Sequence, residues 1–149
     1  MMLAAIRPDS LNLPLFVHVF GAMVLVGGLL AAATAAFVAR GDIRVLRIGY
    51  KTLLLLCLPG YIVMRIGAEW TYAREHLGDN GSDPTWIAIG YITADLGALL
   101  LLIALVLGGI GIRRARNGAA GMLRASLVLS VILLAAYVVT IWAMGAKPT

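Results

Sequence analysis

Apolar residues run almost without interruption along four stretches of this chain, and polar residues collect between them. The uncharged runs are Leu11 to Ala39, Thr52 to Ala68 broken only by Arg65, Pro84 to Ile112 broken only by Asp95, and Ala125 to Ala146. A helix rises about 1.5 Å per residue, so each run with its flanks is long enough to cross roughly 30 Å of hydrocarbon. The pattern predicts an all-α polytopic membrane protein, an antiparallel bundle of four transmembrane helices at about 11–39, 49–70, 85–112 and 122–145, forming one domain over 1–149. Arg7 ahead of the first run and Ala33-Thr34-Ala35 near its end resemble a cleavable signal. That run is nearly twice the usual ~7–15-residue signal core, so it is expected to stay as the first helix.

Composition agrees with this pattern. Of 149 residues, 62% are apolar and 13% charged, and the mean hydropathy is +0.97. A water-soluble domain of this length has too little interior to hide so much apolar surface, so the excess must face lipid. The charges are sorted between the two ends of the bundle. Arg40, Arg44, Arg47 and Lys51 lie between the first two runs, and Arg113, Arg114, Arg116 and Arg124 between the last two, opposed only by Asp42. The segment between the second and third runs carries Arg74 against Glu69, Glu75, Asp79 and Asp83. The positive-inside rule then puts both termini outside, in the cytoplasmic (inner) membrane of a bacterium. The net charge of +5 is thereby explained as membrane anchoring, and nucleic-acid recognition is excluded. The lone Cys57 allows no internal disulfide and no cysteine-rich metal centre. Trp70, Trp86 and Trp142 all fall at helix ends on the expected outer side, where indoles prefer to sit.

Small residues predict how the helices meet. The first helix has two four-spaced series, Gly27, Ala31, Ala35, Ala39 and Gly28, Ala32, Ala36. The third has Gly90, Ala94, Gly97 and Ala98, then Gly108 and Gly109. Such faces let helices approach closely, within one bundle or between copies in a homo-oligomer. Pro59-Gly60 is expected to kink the second helix.

Three strongly ionisable residues lie within the spans: His18, Arg65 and Asp95. Counted from the helix ends, all three fall in the same leaflet, and the cost of charge in lipid predicts that they point inward toward one another. Arg65 and Asp95 are natural partners. Tyr61, Arg65, Glu69 and Tyr72 form one stripe of the second helix, so Glu69 is also within reach of Arg65. Tyr91 lies one turn before Asp95, with Thr93 nearby, and Tyr137 and Thr140 occupy the same half of the fourth helix. Two readings stand side by side. The groups form an ion pair that sets helix register, with His18 bonded to a carbonyl; or His18, Arg65, Asp95, Tyr61, Glu69 and Tyr91 line an outward pocket for a small anion, a lipid headgroup, a cofactor or protons. His76, in the outer loop, reads as an ordinary surface histidine.

The run His18-Val19-Phe20-Gly21-Ala22 followed by Gly27-Gly28 resembles the opening helix of the CopD-like membrane families, which include small bacterial four-helix proteins and, more remotely, the HemJ type of protoporphyrinogen oxidase. The resemblance covers eleven residues of one helix. It implies that His18 is an iron ligand for haem b, with the glycine face leaving room for a flat macrocycle. Leu25 lies where those relatives often carry tryptophan, and no second membrane histidine exists in the chain. Met23 and Met64 offer thioether sulfur. Three function classes follow: an accessory membrane subunit in a homo-oligomer or larger membrane complex, a small oligomeric transporter or channel, and a haem-linked redox protein. No nucleophile elbow, metal quartet or phosphate loop argues for an enzyme.

Overall fold

The four apolar runs become four helices, each long and apolar enough to cross a membrane. A computed structural model describes residues 9–75, 84–115 and 120–146, with side chains from Asn12 onward. His76 and the turn-rich loop from Gly78 to Asp83 lie outside the described residues. Helix α1 is Asp9–Val38. The second span, Ile43–Arg74, comprises α2 (Ile43–Thr52), a π-helical turn (Leu53–Cys57) and α3 (Leu58–Arg74). Helices α4 (Thr85–Ala115) and α5 (Gly121–Ala146) complete the chain. No strand occurs among the described residues.

The second helix starts at Ile43, six residues before the expected position. The connection is a tight turn in which Arg40 and Gly41 take positive φ of 41° and 99°. Asp42 then caps α2, its carboxylate accepting from the Arg44 amide at 2.8 Å. The basic residues Arg40, Arg44, Arg47 and Lys51 are spaced by three and four, the period of a helix with one charged face, while Leu46 and Gly49 face the core. The expected kink is a widened turn. The Leu58 amide bonds Leu53 O, five residues back, immediately before Pro59, which has no N–H to continue the ladder.

Helix α1 interlocks with the second span through glycines seven residues apart on each: Gly21 lies on Met64 and Gly28 on Cys57, while Gly60 lies on Leu25 and Gly67 on His18. A side chain at Gly21 would lie 2.6 Å from the Met64 Cα, and one at Gly60 would lie 2.8 Å from the Leu25 amide nitrogen. Of the two small-residue series on α1, Gly28 and Ala32 are buried, whereas Gly27 and Ala31 are exposed. Helix α4 buries a similar line, Gly90, Ala94, Gly97, Leu101, Ala104, Gly108 and Gly111, into which α5 projects Met144, Tyr137 and Leu123. Helix α1 also packs on α5, joining the two pairs.

The fourth edge behaves differently. At the Arg-rich end α2 closes the bundle, with Tyr50 lying on Gly108 and donating to Leu105 O at 3.2 Å. Leu29, Leu46, Leu53, Leu123 and Leu127 are fully buried in that half. At the opposite end the backbones of α3 and α4 barely approach each other, and only long side chains span the gap.

Candidate functional site

The gap between α3 and α4 is bridged by a polar seam. Arg65 Nη2 lies 3.2 Å from Glu69 Oε1 and 3.3 Å from Asp95 Oδ1. The Tyr91 hydroxyl donates to Glu69 Oε2 at 3.2 Å. The Arg65 guanidinium also sits 4.8 Å above the Tyr91 ring. One turn toward the Arg-rich end, the Tyr61 hydroxyl donates to Ala94 O at 3.2 Å; on the other side Tyr72 meets Tyr91 edge-on at 5.7 Å. The seam does with side chains what glycine contacts do elsewhere in the bundle.

Behind this wall lies a cavity of about 270 Å³, bounded by all four spans. Leu15, His18, Ala22 and Val26 come from α1; Met64, Arg65 and Thr71 from α3; Trp86, Ile87 and Tyr91 from α4; Tyr137, Thr140 and Met144 from α5. Its walls are mainly apolar. Among the described residues, none at the Arg-rich end lines the cavity, so it is blind there.

His18 does not face the ion pair. Its Nδ1 is 3.0 Å from Met64 O, and since a carbonyl can only accept, Nδ1 carries the proton. The second nitrogen of a neutral ring is then an acceptor on the cavity side of α1. The expectation that His18, Arg65 and Asp95 converge inward is therefore corrected. Arg65 and Asp95 pair, but the Asp95 side chain is 66% exposed and Glu69 51%, against 28% for Arg65. Of the six expected pocket residues, His18, Arg65 and Tyr91 line the cavity, whereas Tyr61, Glu69 and Asp95 lie in the seam beside it. The physical reason is the rotation of α3 and α4, which turns Arg65 across the gap and leaves both acids on its outer side.

Several lining residues carried no signal in the sequence reading. Trp86 reads there as an interface anchor, and Thr71 and Met144 not at all. Tyr137 is only 5% exposed. Its hydroxyl rests on Gly97 and finds no hydrogen-bond partner among the described residues. Ser126 and Ser130, in the Arg-rich half of α5, are fully buried, with Ser126 donating to Ala104 O at 2.6 Å.

The surroundings of His18 do not fit a haem. The glycine face that would cradle a flat macrocycle is occupied by the second span: a side chain at Gly28 would meet Cys57 Sγ at 2.7 Å, and Gly21 lies on the Met64 backbone. Met23 points away from the bundle, being 69% exposed. The cavity volume falls below the roughly 300–1,000 Å³ of pockets for drug-sized ligands, and a porphyrin is larger than these. The resemblance to the CopD-like families thus rests on the eleven residues of the first helix alone. Comparison with protein-family models, with curated proteins and with solved structures finds no significant match for the chain.

Proposed function

We propose that this protein is a small accessory membrane protein whose blind cavity holds a neutral, largely apolar molecule carrying one or two oxygen atoms. In this reading the four helices run antiparallel, the Arg-rich end faces the cytoplasm, and the termini and cavity mouth face the outside of a bacterial inner membrane. The observation that carries the reading is the cavity itself, whose walls from four spans are mainly apolar and include His18 and Arg65 as polar contacts. A few convergent polar groups in an apolar recess are the usual make-up of a small-molecule site.

Charge decides what kind of molecule. One guanidinium faces two carboxylates, Glu69 and Asp95, and a third acid, Glu75, lines the cavity itself, so the neighbourhood carries an excess negative charge and repels an anion. Both ion pairs run through Nη2 of Arg65, which leaves other N–H groups of the guanidinium to donate. With His18 as acceptor and Arg65 as donor, a hydroxyl group can use both. The closed Arg-rich side of the cavity favours binding over passage through a single protomer.

The test uses Trp86, which lines the cavity, as the sole indole after Trp70→Phe and Trp142→Phe. In lipid nanodiscs, 1,4-naphthoquinone should quench Trp86 saturably, and 1-naphthol should compete with it much better than the anion 1-naphthoate. Arg65→Gln should weaken binding about threefold to tenfold, the worth of one hydrogen bond. Quenching that never saturates, or stronger competition by naphthoate, would remove the proposal.

A further inference from the structure

The polar seam has an outer side, and that side carries charge where lipid should be. Asp95 is ten residues into α4, about 15 Å along its axis. Glu69 faces the same side from α3. Around them the exposed residues of the two helices are apolar: Ile62 and Ile66 on α3, Ile92, Leu96 and Leu99 on α4. Asp95 therefore sits within an apolar, lipid-directed surface, and Glu69 lies toward its outer edge, five residues before the end of α3.

An acidic side chain is too short to reach headgroup water from that depth, unlike lysine or arginine, and acyl chains do not solvate it. Arg65 compensates one carboxylate; its contacts to Glu69 Oε1 and Asp95 Oδ1 share a single nitrogen. One negative charge per protomer remains, at a surface where the Asp95 side chain is 66% exposed. Among the described residues, Arg65 is the only arginine or lysine at this level of the spans. A second copy placed on this face would therefore bring the same negative excess against the first, and repulsion disfavours a homodimer there.

We infer that the outer α3–α4 face docks a transmembrane helix of a different protein, one that carries a single lysine or arginine at the depth of Asp95. The cation supplies the missing charge and the Ile and Leu residues supply the packing. This surface lies outside the cavity, so the inference does not depend on the proposed small ligand.

The experiment places acceptor-labelled protein in phosphatidylcholine vesicles with donor-labelled synthetic helices of about 23 residues, long enough to span. The helices are leucine-rich and carry one Lys, Leu or Glu about a third of the way along. The Lys helix should associate about tenfold more tightly than the Leu helix, as expected for one charge-assisted contact. Asp95→Asn should cut that preference to about threefold or less, since Glu69 is then paired with Arg65 and no excess charge remains to draw the cation. Asp95→Lys should transfer the preference to the Glu helix. Should Asp95→Asn fail to fold, Glu69→Gln keeps the Arg65–Asp95 pair and must lower the preference for Lys. Equal association of Lys and Leu helices would overturn the inference, because Asp95 would then be satisfied by a proton or by lipid. Energy transfer between copies of the protein that vanishes in Asp95→Asn would overturn it in favour of a homodimer.

Discussion

Replacing Gly67 with alanine tests the packing on which the cavity depends. A Cβ at Gly67 would lie 2.5 Å from the Cα of His18 and closer still to its amide nitrogen, where ordinary contact needs 3.4 Å or more. Both obstructing atoms are backbone, so no rotamer change relieves the clash. Helices α1 and α3 must part by about 1 Å, and a gap of that size forfeits a quarter to a half of each contact well along the seam. Overpacking of this kind typically costs about 1–3 kcal/mol, whereas alanine's better helix propensity returns at most about 1 kcal/mol. The net expectation is a loss of about 2 kcal/mol, read as a shift in the reversible SDS-unfolding curve in mixed micelles. Gly27→Ala is the matched control. Nothing lies within 4 Å of a Cβ there, so only the propensity gain of up to about 1 kcal/mol applies. The same change of residue on the same interlocked helix pair should thus have opposite signs. If Gly67→Ala matched the parent protein, or shifted with the same sign as Gly27→Ala, the close α1–α3 approach would be wrong.

Two further outcomes follow from the polar groups. Tyr137→Phe removes a hydroxyl that is buried on Gly97 without a partner among the described residues, and should raise stability by about 1 kcal/mol in the same unfolding assay; a loss of stability would mean that the hydroxyl is satisfied in the membrane. Arg65→Gln strands Glu69 and Asp95 at membrane depth and should cost about 2 kcal/mol, less than a fully buried pair because both acids are half-exposed or more. Adding Glu69→Gln and Asp95→Asn should recover most of that loss, and failure of the triple variant to recover would show that Arg65 acts through packing rather than charge.

The existence of the spans was legible in the sequence because hydrocarbon thickness dictates how many consecutive apolar residues a crossing helix needs. The pairing of Arg65 with Asp95 was legible for a related reason: few arrangements satisfy two opposite charges in lipid. The early start of α2 was also there to be read, in the three-and-four spacing of Arg40, Arg44, Arg47 and Lys51 and in the Asp42 cap. So were the seven-spaced glycines of α1 and α3, though the residues do not announce which helix fills which groove.

Tertiary structure decided the rest. The direction in which a side chain points depends on the rotation of its helix, and that rotation is set by contacts between residues far apart in the chain. Gly21 seated on Met64, with Gly60 and Gly67 seated on Leu25 and His18, fixes α3 against α1, which brings the His18 ring to Met64 O rather than to Asp95. Tyr61, Arg65 and Tyr91, too long to let α3 and α4 touch, hold the space that becomes the cavity. Hydropathy is a property of each residue and survives in the linear order, whereas a void is a property of what four helices leave between them, and no local pattern of residues records it.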